Sequence, residues 1–319
     1  MAPAPIGVIM RHTAVVSNCS AEEPPNAGYN SRPRLGQEHF SSSWGEVVFN
    51  RALRHAQLLK FFECLDPCLV GIEACGTSHH WARELVRLGH DVKLIPPIYV
   101  KPYVKRGKSA AADAEAICEA VTQPTMRFVE IKTPDQQAIL ALHQTRDLVV
   151  RQRTQTINML RAQLAEFGIV FPQGVGHATQ FAKRLFEGDS PDLPDTAGNV
   201  IAELCEQLLF LHGKIRNYTH EMTHVARRED RVALWQTIPE IRPITASAIV
   251  ATIGTGKQFS TGHDFAAWLD LTPLNRSSGG KEKLGRISKM GDRYIRRLLV
   301  IGMMSRMRQI TKNPERYDP

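Results

Sequence analysis

Apolar residues along this chain follow two different periods, and the change from one to the other divides it. GEVVFN, from Gly45, is compact and rich in β-branched and aromatic residues and reads as a short strand. Ala52–Cys64 then sets Leu53, Leu58, Leu59, Phe61 and Phe62 along one face of an amphipathic helix. CLVGIEAC, Cys68–Cys75, is an apolar run of the kind a central strand shows, with Glu73 near its end. A helix follows, with Thr77 or Ser78 as its cap and Gly89 as its stop, and DVKLIP, Asp91–Pro96, alternates as a strand. Past a basic loop, SAAADAEAICEAV predicts a helix and RFVEI, residues 127–131, one more strand. Strands alternating with helices predict an α/β layer with some parallel pairing.

From Pro134 the period becomes helical. Leu142 and Val149 are seven apart, and Ile157, Leu160, Leu164 and Phe167 recur at threes and fours up to Gly168. A second long helix, roughly Val200–Arg228, carries Ile201, Leu204, Leu208, Leu211 and Ile215, and the segment GDSPDLPD before it has loop composition. The pair predicts either an antiparallel helical hairpin or a coiled-coil arm for oligomerisation. Beyond Leu234 come a helix, a turn at Pro239–Pro243, a second helix, FAAWLDLTP, a Ser/Gly loop and the basic helix GDRYIRRLLVIGMM. Residues 1–45 hold Pro3, Pro5, Pro24, Pro25 and Pro33 among Ser, Asn and Gly, which predicts a poorly ordered segment. The expected organisation is therefore 1–45, an α/β domain at 46–132, a helical arm at 133–230 and a mostly α C-terminal domain at 231–319.

Composition narrows the possible functions. The chain has 319 residues, 43% of them apolar, which is enough to bury a core and fill about two domains. No run approaches the ~18 apolar residues of a membrane span and no apolar signal core follows a basic start, so a soluble cytoplasmic protein without membrane contact is expected. Its six cysteines include no CxxC pair, which predicts reduced thiols and no zinc site. The adjacent His79 and His80 suit a helix start better than one metal ion.

A net charge of +8 predicts a polyanionic partner. The charge concentrates around Asn275-Arg276-Ser277-Ser278-Gly279-Gly280-Lys281 and the run behind it: Lys283, Arg286, Lys289, Arg293, Arg296 and Arg297. Glycines let a backbone approach a ligand closely, so a serine beside them suits a nucleophile aimed at a phosphodiester; the plainer reading is a loop followed by a cationic helix. Three arginines on an otherwise apolar helix predict phosphate contacts from Arg293, Arg296 and Arg297. A second basic stretch, with Lys101, Tyr103, Lys105, Arg106 and Lys108, predicts either a nucleic-acid grip or a solvated loop.

Four blocks in order carry a resemblance: IEACGTSHHWARELVRLGHDVKLIPPIYVKPYVKRGK, AAADAEAICEAVTQPTMRFV, LVVRQRTQTINMLRAQLAEFGI and FAAWLDLTPLNRSSGGKEKLGRISKMGDRYIRRLLV. They resemble the insertion-sequence transposases of the DEDD class, related to Piv-type DNA invertases. The resemblance implies an RNase-H-like N-terminal domain, a helical arm, and a C-terminal domain with a helix-hairpin-helix-like element and a serine that attacks DNA. It also implies Mg²⁺ held by four acids, a structured guide RNA from the element, and a homo-oligomer formed through the long helices.

Within that pattern Glu73 matches the family glutamate and Asp113 the last aspartate, making them the expected metal ligands. Ser278, or else Ser277, matches the nucleophile. The third acid belongs three residues before Asp113, where this chain has Ala110, and the first belongs on an N-terminal strand, yet no aspartate occurs before Asp66. Two ligands of four are absent, so RNase-H-like chemistry is expected to be incomplete and metal-dependent cleavage to fall by orders of magnitude. The Pro-Gly-Xaa-Gly-Pro hairpin of the family is also altered, with Glu240 and Arg242 in place of both glycines, and Asp270 stands at another usual glycine.

Overall fold

The computed structural model describes residues 8–12, 37–43, 47–104, 110–277, 280–281, 283–288 and 291–312. Contacts divide the chain into two units, one ending at Thr133 and the other starting at Pro134. The arm and the C-terminal segment expected at 133–230 and 231–319 both fall within the second unit.

The first unit is built on a five-stranded sheet of order β3-β2-β1-β4-β5. Its strands are β1 (Val8–His12), β2 (Gln37–Ser43), β3 (Val47–Arg54), β4 (Leu69–Glu73) and β5 (Asp91–Ile95). β2 is antiparallel to β1 and to β3, whereas β4 runs parallel to both β1 and β5. Two of these strands lie inside residues 1–45, the segment expected to be poorly ordered. β1 is placed by β2 on one side and β4 on the other, so its hydrogen-bonding partners are remote in sequence and leave no local period to detect. β3 also extends to Arg54, so the helix expected from Ala52 begins instead as α1 (His55–Glu63). The strand expected at 127–131 reduces to one bridge, where Val129 pairs with Leu94 at the sheet edge.

Helices α2 (Ser78–Arg87), α3 (Pro97–Val100), a single 3-10 turn at Lys101–Tyr103, and α4 (Ala110–Val121) complete this unit. Leu58, Phe62, Val70, Ile72, Leu85 and Leu94 are fully buried or nearly so, each contributing on the order of 2 kcal/mol of apolar transfer. His90 is buried among them and joins three elements: its Nδ1 accepts from the Cys68 N–H at 3.3 Å and its Nε2 donates to the Phe62 carbonyl at 3.2 Å. At Gly71, a Cβ would stand 3.0 Å from Ile117 Cγ2, so the glycine is what lets the alanine-rich face of α4 lie close on β4.

Neither residue expected to cap α2 does so in the usual way. Thr77 occupies the N-cap in the left-handed region, with φ 66 and no side-chain capping bond, while Ser78 Oγ turns back to donate to the Cys75 carbonyl at 2.8 Å.

The second unit begins with α5 (Pro134–Glu166), α6 (Val175–Phe186) and α7 (Asp195–Ala226). α5 and α7 are the two long helices of the sequence pattern, and they pair antiparallel with each other within the chain. Ile157, Leu160 and Leu164 meet Ile201, Cys205 and Leu208, and farther along Val149 meets Leu211 and Ile215. α6 had no counterpart in the sequence reading; its Ala178 and Ala182 pack into the same core, and Phe171 stacks on Phe181 at 5.4 Å.

α8 (Asp230–Trp235), α9 (Pro243–Ile253), α10 (Gly262–Trp268), the hairpin β6 (Pro273–Asn275) with β7 (Leu284–Ile287), and α11 (Arg293–Lys312) follow. α9 is buried nearly all round and packs on α5, α7, α8 and α11. α10 opens with a capping box, in which Thr261 Oγ1 accepts from the Asp264 N–H at 3.1 Å and Asp264 Oδ2 from the Thr261 N–H at 3.2 Å. No helix among the described residues is long and apolar enough to cross a membrane.

One polar cluster ties this unit together. His143 of α5 is 1% exposed, with Nδ1 3.1 Å from the Tyr294 hydroxyl on α11 and Nε2 3.2 Å from Ser247 Oγ on α9. Burial, assisted by Arg146, pushes its pKa from 6.5 down to about 4.

Two outcomes follow for stability. Between pH 6.5 and about 4 the unfolded chain takes up a proton that native His143 refuses, so stability is highest above that window and falls as the pH drops through it. The contribution is about 3 kcal/mol in all, and urea melts across this range should show a slope that His143→Gln reduces by close to one proton. At Thr77, where a β-branched residue holds φ 66, Thr77→Gly should raise stability by about 1 kcal/mol, measured by thermal melting of the first unit.

Candidate nucleic-acid interface and acidic site

In the first unit the acidic residues follow from the packing of α4 on the sheet. Glu73 ends β4, the strand flanked on both sides by parallel neighbours, and Asp113 lies in the first turn of α4; both are half-buried. Because α4 packs against β4 through Gly71, the fold supports one carboxylate from the strand end and another from the helix above it.

The described residues bring no further carboxylate to these two positions. The residue one turn before Asp113 is Ala110, and β1, the strand beside β4, reads VIMRH with no carboxylate. Among the described residues no group of three or more His, Cys, Asp or Glu is placed to share a metal ion. Two carboxylates do not make the four-acid site that the pattern calls for, so the residues present do not fit the group.

The histidines nearby are occupied otherwise. His79 Nδ1 accepts from the Lys132 N–H at 3.2 Å, and its Nε2 lies 3.1 Å from Lys132 Nζ. Burial, together with Lys132 and Arg83, lowers its pKa to about 4. His80 stands 4.0 Å from Glu84, one turn along α2. Lys101 is exposed on the 3-10 turn; Lys105, Arg106 and Lys108 lie outside the described residues.

In the second unit the Ser/Gly stretch joins β6 to β7. Asn275 Oδ1 accepts from the Ser277 N–H at 2.8 Å, making an Asx turn, and Ser277 Oγ accepts from the Lys283 N–H at 3.0 Å. The Arg276 N–H donates to the Lys283 carbonyl at 2.8 Å, and Gly280 takes φ 73. Ser277 therefore closes the loop that carries its neighbours. Ser278, the first choice for nucleophile, and Lys289 lie outside the described residues. Arg276, Lys281, Lys283 and Arg286 are all exposed, giving the hairpin a cationic surface.

The three arginines of α11 divide into different roles. Arg293 is exposed at the helix start. Arg296 is 8% exposed, and its Nη1 donates to the Leu269 carbonyl at 2.9 Å and the Gly291 carbonyl at 3.4 Å. It thus serves the C-terminal end of α10, where unpaired carbonyls favour a cation. Gly291 makes the approach possible, since a Cβ there would come within 2.5 Å of the Trp268 carbonyl. Arg297 pairs with Asp147 of α5 and lies over the Tyr294 ring, 5.4 Å from its centroid. Of the three arginines expected to reach phosphates, Arg296 is turned inward as a packing residue, whereas Arg293 and Arg297 are exposed, the latter paired with Asp147.

The altered glycine positions keep glycine-like backbones. Glu240 has φ 67 and Asp270 φ 53, both in the left-handed region. The Glu240 side chain is largely buried, 3.7 Å from Arg306, and a Cβ on Gly302 of α11 would come within 2.9 Å of the Glu240 carbonyl. The turn at 238–242 is thus packed against α11.

Two family models match the chain, one toward each end. A family model described as Transposase IS116/IS110/IS902 family matches residues 232–318, and a second transposase model, of the IS110 DEDD type, matches residues 40–169. A probable family 20 transposase of Pseudomonas aeruginosa is 42% identical over 276 residues, covering 86% of this chain and 82% of that protein. The putative transposase y4pF/y4sB of Sinorhizobium fredii is 38% identical over 298 residues, or 93% of this chain and 76% of the relative. The transposase for insertion sequence element IS1328 of Yersinia enterocolitica is 38% identical over 263 residues, 82% of this chain and 78% of its own length. With both family models placed in order and relatives aligned along most of their lengths, this chain belongs to the IS116/IS110/IS902 family of insertion-sequence transposases.

Proposed function

We propose that this transposase holds DNA through the β6–β7 hairpin and the start of α11, and that its cutting and joining of DNA is severely impaired. The carrying observation is the acidic site: Glu73 and Asp113 occupy a strand end and the helix packed on it, Ala110 stands where a third carboxylate belongs, and β1 brings none. Mg²⁺, when bound in a complete site of this class, would polarise the phosphodiester; Glu73 and Asp113 are the residues left to recruit it.

Several features support the finer reading of the fold. A mixed five-stranded sheet with a helix packed on its central strands suits an incomplete RNase-H-like domain. α8 and α9, joined by the short turn at 238–242, suit a helix-hairpin-helix-like element. Ser278 is the nucleophile by resemblance. A serine hydroxyl needs activation to attack, so without a competent acidic site its placement in the loop is insufficient. The cationic hairpin also supports a structured RNA from the element as a second polyanionic partner. Exposed Leu148, Met159 and Phe210 on the paired arm helices support self-association.

A strand-transfer assay with the element's own ends, its RNA and Mg²⁺ tests the proposal. Joined product should stay at background, with Ser278→Ala indistinguishable from the unmodified chain; efficient joining abolished by Ser278→Ala would overturn it. Binding should persist and be steeply salt-dependent, and Lys283→Ala and Arg293→Ala should each reduce the log–log salt slope by about one. Arg296→Ala should instead destabilise the second unit by about 2–3 kcal/mol in urea melts, because it strips donors from buried carbonyls.

A further inference from the structure

The seam between α5 and α7 is apolar along most of its length, and it is interrupted at two successive layers. Arg146 and Arg153 are seven residues apart on α5 and so share a face, as do Thr219 and His212 on α7. At the first layer Arg146 Nε donates to Thr219 Oγ1 at 2.9 Å, so that N–H is matched across the seam. At the second, Arg153 stands next to His212 without such a match: Arg153 Nε and His212 Nδ1 are both buried, and neither has a hydrogen-bond partner among the described residues. The layer lies between the Val149, Leu211, Ile215 cluster and the larger core of Ile157, Leu160, Cys205 and Leu208.

More cations surround it. Arg216 follows His212 by one turn of α7, and Lys183 reaches the same region from α6; both are exposed. No described carboxylate forms an ion pair with Arg153, Arg216 or Lys183. The two inner groups bear the cost of this crowding. Burial, then Arg153, Arg216 and Lys183, hold His212 below its ordinary value, and burial with Arg146 does the same to Arg153. The same helix can provide an acid when one is needed, since Asp147 serves both Arg151 and Arg297. A gathering of like charges over unmatched buried N–H and ring nitrogen atoms, open at the rim, is an arrangement that an anion completes.

We infer that this break in the arm seam, with Arg153 and His212 as its floor and Arg216 and Lys183 as its rim, binds phosphates of a nucleic-acid backbone. The site stands on other elements than the β6–β7 hairpin and does not depend on that surface. A backbone rather than a small free anion fits the layout, because the cations come from three helices and the two rim groups can each take a different phosphate. Gly213, next to His212, carries no side chain, and a Cβ built there would meet nothing within 4 Å, so no bulk crowds the helix beside His212. The guanidinium of Arg153 adds paired donors in a fixed plane, which matches phosphate oxygens.

The test uses the full chain and two labelled probes, a random-sequence DNA duplex and a single-stranded RNA of equal length, with binding followed by anisotropy across a salt series. The double variant Arg216→Ala/Lys183→Ala removes two exposed charges and should leave the melting temperature unchanged. With at least one probe its log–log salt slope should become shallower by about two, with affinity about tenfold or more weaker at low salt. Lys214→Ala, which removes an exposed lysine of the same helix that lies over the Phe210 ring, should leave the slope as it was. A shallower slope with the duplex alone assigns the site to DNA, and with the RNA alone to RNA.

Arg153→Met keeps the aliphatic stem and removes the unmatched donor, so the melting temperature should hold or rise while affinity falls about tenfold. An unchanged slope with both probes in the double variant would overturn the inference. So would a lower melting temperature in Arg153→Met at unaltered affinity, or an unmodified chain that binds neither probe. Lys283→Ala on the hairpin, measured in parallel, shows whether a loss belongs to that surface instead.

Discussion

The second unit depends on the antiparallel contact between α5 and α7. Long helices are marginal in water unless an apolar face is buried, and here each supplies the face that the other buries. α6 leans on α7, α9 packs across both, and α11 is fixed to α5 by His143 against Tyr294 and by Asp147 against Arg297. The hairpin and the Ser/Gly loop are thus carried by a frame whose stiffness comes from far along the chain. His143 is the polar price of that frame, a neutral imidazole between two hydroxyl groups in an otherwise apolar junction.

What the sequence disclosed depended on how local the determining force was. The two long helices were legible because their seam recurs at threes, fours and sevens, and within the chain they pair with each other as an antiparallel hairpin. β4, β5 and α2 were legible for similar reasons. β1 and β2 were not, because a strand held by remote neighbours needs no alternation of its own. α6 escaped notice since its alanines are core residues only against α7. Val129 shows the opposite error, where β-favouring residues meet the sheet at one position only.

The candidate site was legible by type more than by role. Glu73 ends β4 and Asp113 lies in the first turn of α4, the element types that the resemblance implies for them, with Ala110 opening the same helix. The arginines of α11 need partners by their spacing, but that spacing does not show that Arg296 finds buried carbonyls and Arg297 a carboxylate of α5 at the surface. The cationic layer at Arg153 and His212 left no sequence signal either, because a polar residue on a long helix looks solvated until the opposing helix is known.

The turn at Glu240 has a consequence for how such a chain can change over generations. Its carbonyl occupies the space that any side chain at position 302 would need, and its carboxylate faces Arg306 on the same helix. A change of position 240 to glycine would relax the backbone yet leave that arginine without this carboxylate, and enlargement at position 302 is blocked while the turn stays where it is. The two positions are therefore entrenched together. Drift in this part of the molecule has to move in pairs.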